Sequence, residues 1–260
     1  RMRKRAAVLT LLAVWLAYAA ETWLSGPYVV KVSSRGARVV RIVRTPEVKL
    51  GLEPHLLTGM LPTLRAEKIT LSGLKPGTTY HYEVAGLEEG KGRFKTPPER
   101  GAPFRFVVLG ATHTRLDVQA RVAEAIAQSD ADFLVHTGDL VEDGTDSAQW
   151  PVFFSVQREL LRKSPFFSVP GDNERHGPLF YEFFDLCTPY YSFDWGGARF
   201  VMLNTDIGNV APSAEARVAF WFEQLRWMEQ DLANSQKAAF RFVVMHHPPF
   251  TAFQQRQNRA

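Results

Sequence analysis

The sequence predicts an α/β protein in two unlike parts, a small N-terminal β-sandwich followed by a larger layered α/β body. Three observations carry that expectation. Residues 23–96 alternate apolar and polar residues with period two, as half-buried strands do. Thr96-Pro-Pro-Glu-Arg-Gly-Ala-Pro103 reads as a linker. Beyond it, continuous apolar strands take turns with stretches whose apolar residues recur at helical spacing, the pattern of strands layered with helices. A chain of 260 residues has room for one large domain or two modest ones. With 45% hydrophobic and 22% charged residues it is no disordered, collagenous or coiled-coil chain. A single cysteine, Cys187, excludes an intramolecular disulfide and any cysteine-based zinc site.

The elements follow in chain order. Arg1, Arg3, Lys4 and Arg5 precede an uncharged apolar run, Ala6–Ala19, and Ala17-Tyr18-Ala19 fits the small-x-small cleavage rule. Residues 1–19 are therefore expected to be a signal peptide. The run of 14 is short against the ~20 residues of a membrane span. The expected location is secreted or periplasmic, with a retained N-terminal anchor as the alternative and no stable membrane span after cleavage. The four leader cations account for the whole net charge of +4, since the remaining cations and anions balance at 27 each. No nucleic-acid partner is implied, and oligomeric state is not legible.

Strand candidates in the first part are Tyr28-Val-Val-Lys-Val, Arg38-Val-Val-Arg-Ile-Val, Lys68-Ile-Thr-Leu and Tyr80-His-Tyr-Glu-Val, with turns at Ser34-Arg-Gly36 and Lys75-Pro-Gly77. Leu74-Lys-Pro-Gly-Thr-Thr-Tyr80-His-Tyr82 resembles the corner of fibronectin type III domains, in which a Tyr hydroxyl bonds back to upstream backbone. In the second part, strands are expected over 104–109, 133–137, 166–169 and 240–245. A hairpin is expected around Trp195-Gly-Gly197, and helices over 118–126, 150–161 and 214–234.

In open α/β sheets, sites form where strands end. Four strand ends carry hard-oxygen or imidazole donors: Gly110-Ala-Thr-His113, Gly138-Asp139-Leu-Val-Glu-Asp-Gly144, Gly171-Asp172-Asn173-Glu174-Arg-His176 and His246-His247-Pro-Pro249. Singly, each is an ordinary turn or cap. Together, imidazole, carboxylate and amide oxygen suit Fe, Zn or Mn better than Ca.

On these motifs, residues 104–250 resemble a calcineurin-like metallophosphoesterase, and the strands before them are similar to the N-terminal domain of purple acid phosphatases. The resemblance implies a fibronectin III-like domain over 22–97 and an incomplete phosphoesterase domain over 103–260, a four-layer αββα type short at its C-terminus. It implies two divalent or trivalent metal ions (Fe, Zn or Mn) and hydrolysis of a small-molecule phosphate ester by a metal-bound hydroxide. Asp139 would bridge the metals, with His113 on the first and Asn173 and His246 on the second.

Three departures qualify it. Ala111 stands where the family's Asp-x-His motif has its carboxylate. Gly171-Asp172-Asn173-Glu174 replaces Gly-Asn-His-Glu. Without a gap, Asp172 takes the ligand position and Asn173 that of the proton-donating His. Shifted by one residue, Asn173 remains the ligand. The shifted register is preferred, since a Gly-Asp-Asn-Glu variant occurs in related phosphoesterases. The proton donor is then expected at His247 or His176. Finally, no Gly-His-x-His follows His246-His247 before Ala260, and the chain opens on Arg1, which together favour a fragment. The alternative function is a degenerate phosphoesterase fold that binds without catalysing.

Overall fold

The computed structural model describes residues 23–44, 48–50, 58–60, 64–85 and 90–250. The expected signal segment, 1–19, and residues 251–260 lie outside the described residues.

Strands β1 (Trp23–Val30), β2 (Gly36–Arg44) and β5 (Leu64–Ser72) form an antiparallel sheet in the order β1-β2-β5. Two hairpins accompany it, β3 (Val48–Leu50) with β4 (Thr58–Met60) and β6 (Thr79–Glu83) with β7 (Lys91–Lys95). The β-branched run in β2 suits a pleated ladder. Its register with β5 is unbroken from Gly36 opposite Ser72 to Arg44 opposite Leu64. Alternation divides the sheet's side chains between two faces. Val29, Ala37 and Val39 meet Phe94 of β7 in one apolar cluster. Tyr28, Val30, Val40, Ile42 and Leu64 join another. The Tyr80 hydroxyl accepts the Lys75 N–H at 2.8 Å, closing the corner onto upstream backbone.

The body holds two further sheets. β8 (Phe106–Leu109), β9 (Phe133–His136) and β10 (Phe166–Ser168) are parallel, with β9 central. β11 (Tyr191–Trp195) and β12 (Ala198–Met202) form the expected hairpin, and β13 (Phe240–Val244) runs parallel to β12. The sheets meet through aromatic rings, with Phe133 4.2 Å from Trp195 and Phe167 stacked 3.7 Å from Phe193. Leu134, Val107 and Leu109 face the other way. They pack with Ala123 and Ala127 of α1 (Leu116–Ala127), Phe153 and Phe154 of α2 (Gln149–Val156), and Leu160 and Leu161 of α3 (Arg158–Leu161). A short α4 (Pro178–Phe184) adds Phe180, Phe183 and Phe184 to that cluster. On the far side of the second sheet, Arg199 of β12 donates to Asp231 of α6 (Ala214–Asn234) at 3.0 Å. The layers thus run helix, sheet, sheet, helix. A one-turn α5 (Ile207–Val210) precedes α6. Among the described residues, no helix is long and apolar enough to cross a membrane.

One expectation is corrected. The helix read over 150–161 is broken at Gln157, whose φ −91°, ψ 3° ends α2 before α3 begins. Phe153, Phe154, Leu160 and Leu161 stay buried on both sides of the break. The apolar face therefore continues through it, and periodicity alone conceals the interruption.

Candidate metal centre

The strand ends converge because backbone meets backbone there. Gly138, at the exit of β9, has φ +96°, and a Cβ on it would lie 2.6 Å from the Gly171 nitrogen and 2.9 Å from His246 Nδ1. Only glycine lets the ends of β9, β10 and β13 approach so closely. Asp139 follows at φ 60°, a left-handed conformation that Asp tolerates better than most residues. Gly144 donates its N–H to the Asn173 carbonyl at 2.8 Å, and a Cβ there would strike the Glu174 backbone at 2.4 Å. The glycines of the Gly-Asp-x-x-x-x-Gly spacing are contact points between loops.

Asp139 Oδ1 accepts the Asn173 N–H at 3.2 Å and lies 3.6 Å from His246 Nε2. His246 Nδ1 sits 2.7 Å from the Thr137 carbonyl, and its Nε2 is 3.0 Å from Asp172 Oδ1. The His247 N–H donates to the Thr205 hydroxyl at 2.8 Å, and its Nδ1 is 3.1 Å from the Thr205 carbonyl. Its Nε2 lies 3.5 Å from the same Asp172 oxygen. Asp172, His246 and His247 thus bring one donor atom each within 4.8 Å of one another. Burial raises the Asp172 carboxyl, but its own backbone N–H and the two imidazoles outweigh that and hold its pKa below the usual value.

The donor chemistry fits a cation. Each histidine faces a carbonyl with Nδ1, so Nδ1 carries the proton and Nε2 presents a lone pair. That lone pair points at carboxylate oxygen, an arrangement that a positive charge between them, or a second proton, reconciles. Donors around a tetrahedral ion with bonds near 2.1 Å stand about 3.4 Å apart. Here Asp172 Oδ1 stands 3.0 Å from His246 Nε2 and 3.5 Å from His247 Nε2, and Asp139 Oδ1 stands 3.6 Å from His246 Nε2.

The other expected residues lie around this cluster in different ways. Asn173 enters it through its backbone, as donor to Asp139 and acceptor from Gly144. His113 stands outside the three-residue group, with Nδ1 3.4 Å from the Asp139 carbonyl. Its loop is stitched to the Asp139 loop, since Ala111 N–H donates to the Gly138 carbonyl at 3.0 Å and Thr112 N–H to the Asp139 carbonyl at 2.8 Å. Ala111 itself has φ 53°. His176 is held 2.7 Å from the Tyr181 hydroxyl, and burial lowers its pKa.

Sequence reasoning missed a fifth strand end. Asn204, Thr205 and Asp206 follow β12, and Thr205 orients His247. Asp206 is pushed up to about 6, first by burial, against Asn209, whose amide donates to both carboxylate oxygens. The Asp172 charge adds to the rise, and His247 and His246 oppose it. The signal was present: Met202-Leu-Asn-Thr-Asp206 is an apolar strand ending in polar donors, like the four that were read. The role of Glu174 was also missed. Its carboxylate is fully buried and accepts backbone N–H groups from both strand ends.

The profile of the calcineurin-like phosphoesterase family matches residues 104–259. Purple acid phosphatase 15 of Arabidopsis thaliana is 23% identical over 228 residues, covering 70% of this chain and 41% of that protein. Among solved structures, purple acid phosphatase PPD1 from seeds of yellow lupin (Lupinus luteus) superposes with a TM-score of 0.57 at 17% identity, over 84% of this chain and 50% of that one. PhoD superposes with a TM-score of 0.56 at 14% identity, over 86% and 62%. The two structures share the fold, and the chain spans about half the length of the purple acid phosphatases it matches.

Proposed function

Since the chain belongs to the calcineurin-like phosphoesterase family, we propose that it is a metal-dependent hydrolase of small-molecule phosphate esters, acting at the strand ends around Asp139. The observation that carries this reading is the pair of carboxylate oxygens, from Asp172 and Asp139, standing 3.0 and 3.6 Å from His246 Nε2, distances at which donors share a cation. These three residues would hold it, and Fe, Zn or Mn suits the mixture of carboxylate and imidazole. A bound ion supplies Lewis acidity, offsetting charge on phosphoryl oxygens and acidifying water.

The chain's own residues do the rest. Thr137 fixes the His246 ring through its carbonyl, so that Nε2 faces the ion. Thr205 fixes His247 in the same manner. With 41% of its side chain exposed, against 14% for His246, His247 is the imidazole open to substrate. Nδ1 is engaged by the Thr205 carbonyl, so Nε2 is the nitrogen that takes up a proton and, as imidazolium, gives it to the departing alkoxide, the part first shared between His247 and His176. A second ion, as in the binuclear expectation, would have His113 and Asp139 on its side, with the methyl group of Ala111 where a carboxylate is wanted. In this reading Asp172 takes the ligand position and Asn173 frames Asp139 through its backbone, the ungapped register of the two.

The test is hydrolysis of an aryl phosphate with added Mn, Fe or Zn. Asp139→Ala is expected to abolish it, and activity indifferent to that substitution overturns the assignment. A second reading, a binding module without catalysis, is favoured by Ala111. It expects no firmly held metal, so uptake of one or more equivalents of Mn²⁺ by the wild-type chain decides against it. Export and the fibronectin III-like character of residues 22–97 complete the proposal. Export rests on the charged and apolar pattern of residues 1–19. N-terminal sequencing of the exported protein should find residue 20 first, and an intact leader in a soluble cell fraction refutes export.

A further inference from the structure

Glu174 buries its carboxylate with no ion pair among the described residues. The side chain has no exposed surface, and burial raises its pKa. A buried carboxylate persists only when its lone pairs are satisfied. Here backbone does that work. Oε2 accepts the N–H of Asp139 at 2.8 Å and of Gly171 at 2.6 Å, while Oε1 accepts that of Leu140 at 2.7 Å and, longer, that of Val141 at 3.4 Å. Asp139, Leu140 and Val141 leave β9, and Gly171 leaves β10. One carboxylate therefore ties two neighbouring strand ends, each of which delivers a carboxylate beside His246 Nε2, Asp139 from one and Asp172 from the other.

The tie acts on a strained backbone. Asp139 stands at φ 60°, and such conformations persist only where surrounding bonds over-determine them. The Asp139 N–H on Glu174, the Asn173 N–H on Asp139 Oδ1 and the Thr112 N–H on the Asp139 carbonyl do so. The Glu174 backbone adds a further constraint, since its carbonyl accepts the Gly177 N–H at 2.8 Å and so anchors the following turn.

We propose that Glu174 is a positioning residue for the metal site, holding the Asp139 and Asp172 carboxylates where each stands beside His246 Nε2. This rests on the reading that the cluster holds a cation. Gln is no substitute, because its amide would turn a donor toward one pair of N–H groups, either those of Asp139 and Gly171 or those of Leu140 and Val141. Asp keeps the charge and the acceptors but has a shorter reach.

The experiment is calorimetric titration of the purified chain with Mn²⁺ alone, at a temperature where circular dichroism finds each variant folded. Removing partners behind metal ligands typically weakens affinity about 10–100-fold, and Glu174→Gln is expected to do so, with Glu174→Asp between it and wild type. A residue that merely stabilises the fold would lower the melting temperature and leave the affinity of the folded protein untouched. Mn²⁺ affinity within about twofold of wild type in folded Glu174→Gln overturns the proposal. The same result in Glu174→Asp does so where the Gln variant does not fold. A wild-type chain that takes up no Mn²⁺ removes the metal reading itself, an outcome separate from either variant result.

Discussion

His136 shows how a single buried residue sets the conditions under which the site exists. It has no exposed surface, and burial, helped by the nearby His246, lowers its pKa from 6.5 to about 3. Its Nδ1 accepts the Gly138 N–H at 3.1 Å, so Nε2 carries the proton and donates to the Thr112 hydroxyl at 3.1 Å. The ring thus joins the loops after β8 and β9 in its neutral form. Between pH 6.5 and 3 the unfolded chain binds a proton there that the native chain refuses, so stability rises with pH across that window. It is complete above 6.5 and is lost as pH falls, by on the order of 5 kcal/mol in full at ~1.4 kcal/mol per unit. Urea midpoints measured from pH 7 to pH 4 should fall steeply in wild type and less in His136→Gln. Parallel curves for the two proteins would refute the assignment. The paired histidines are separable at the same scale. His246→Gln removes a ligand and should weaken Mn²⁺ binding by at least 10-fold, whereas His247→Gln should spare affinity and lower kcat by about 10²–10⁴. Equal losses of Mn²⁺ affinity would make His247 a ligand instead. Ala111→Asp belongs here too. Asp accepts the left-handed φ of 53° there, so it should fold normally and raise the number of Mn²⁺ ions bound, and an unchanged stoichiometry would count against a vacant carboxylate position.

At the scale of elements, the strand ends depend on close backbone approach, and Gly138→Ala tests that directly. It places a Cβ at φ +96° and 2.6 Å from the Gly171 nitrogen, so β9 and β10 must part. A loss of about 1–3 kcal/mol is expected in urea unfolding with unchanged slope, accompanied by weaker Mn²⁺ binding. Full stability would mean that the loops yield freely. Strands with apolar runs bounded by turn residues were legible, as at Phe133–His136 before Thr137-Gly138, whereas the short β3 and β4 and the polar β7 were not read. What escaped was set by features that leave no period. Gln157 interrupts a helix whose buried face continues past it. α4 is only seven residues long, although Pro178 at its first position and Phe180, Phe183 and Phe184 marked it. Of the candidate site, the polar donors gathered at four strand ends were readable from residue chemistry. The register within Asp172-Asn173 was not, because both residues offer a side-chain oxygen and the sequence does not say which one faces His246. Glu174 reads as an ordinary surface acid until its N–H partners are known.

At the scale of the molecule, the linker composition of 96–103 points to separable parts, but the packing joins them. Tyr28 on β1 stacks on Phe154 at 4.9 Å, and its hydroxyl donates to the Phe183 carbonyl at 2.8 Å. Val40, Ile42 and Leu64 lie in the same cluster as Trp150, Leu134 and Leu160. The helices that cover one face of the β8-β9-β10 sheet are thus gripped from outside by the N-terminal sheet, and the candidate site lies at the ends of β9 and β10 in the sheet they cover. If this shared core governs stability, both parts open together, because the N-terminal sheet cannot leave without exposing aromatic surface on α2 and α4. Tyr28→Ala should then cost about 3–5 kcal/mol, through the cavity and the orphaned Phe183 carbonyl. Hydrogen exchange locates the loss. The amides of Val39–Val43 in β2 and of Leu134–His136 in β9 should accelerate by the same factor in the variant. Faster exchange confined to β2, with β9 protected as in wild type, would instead make the N-terminal strands an independent unit resting on a self-sufficient body.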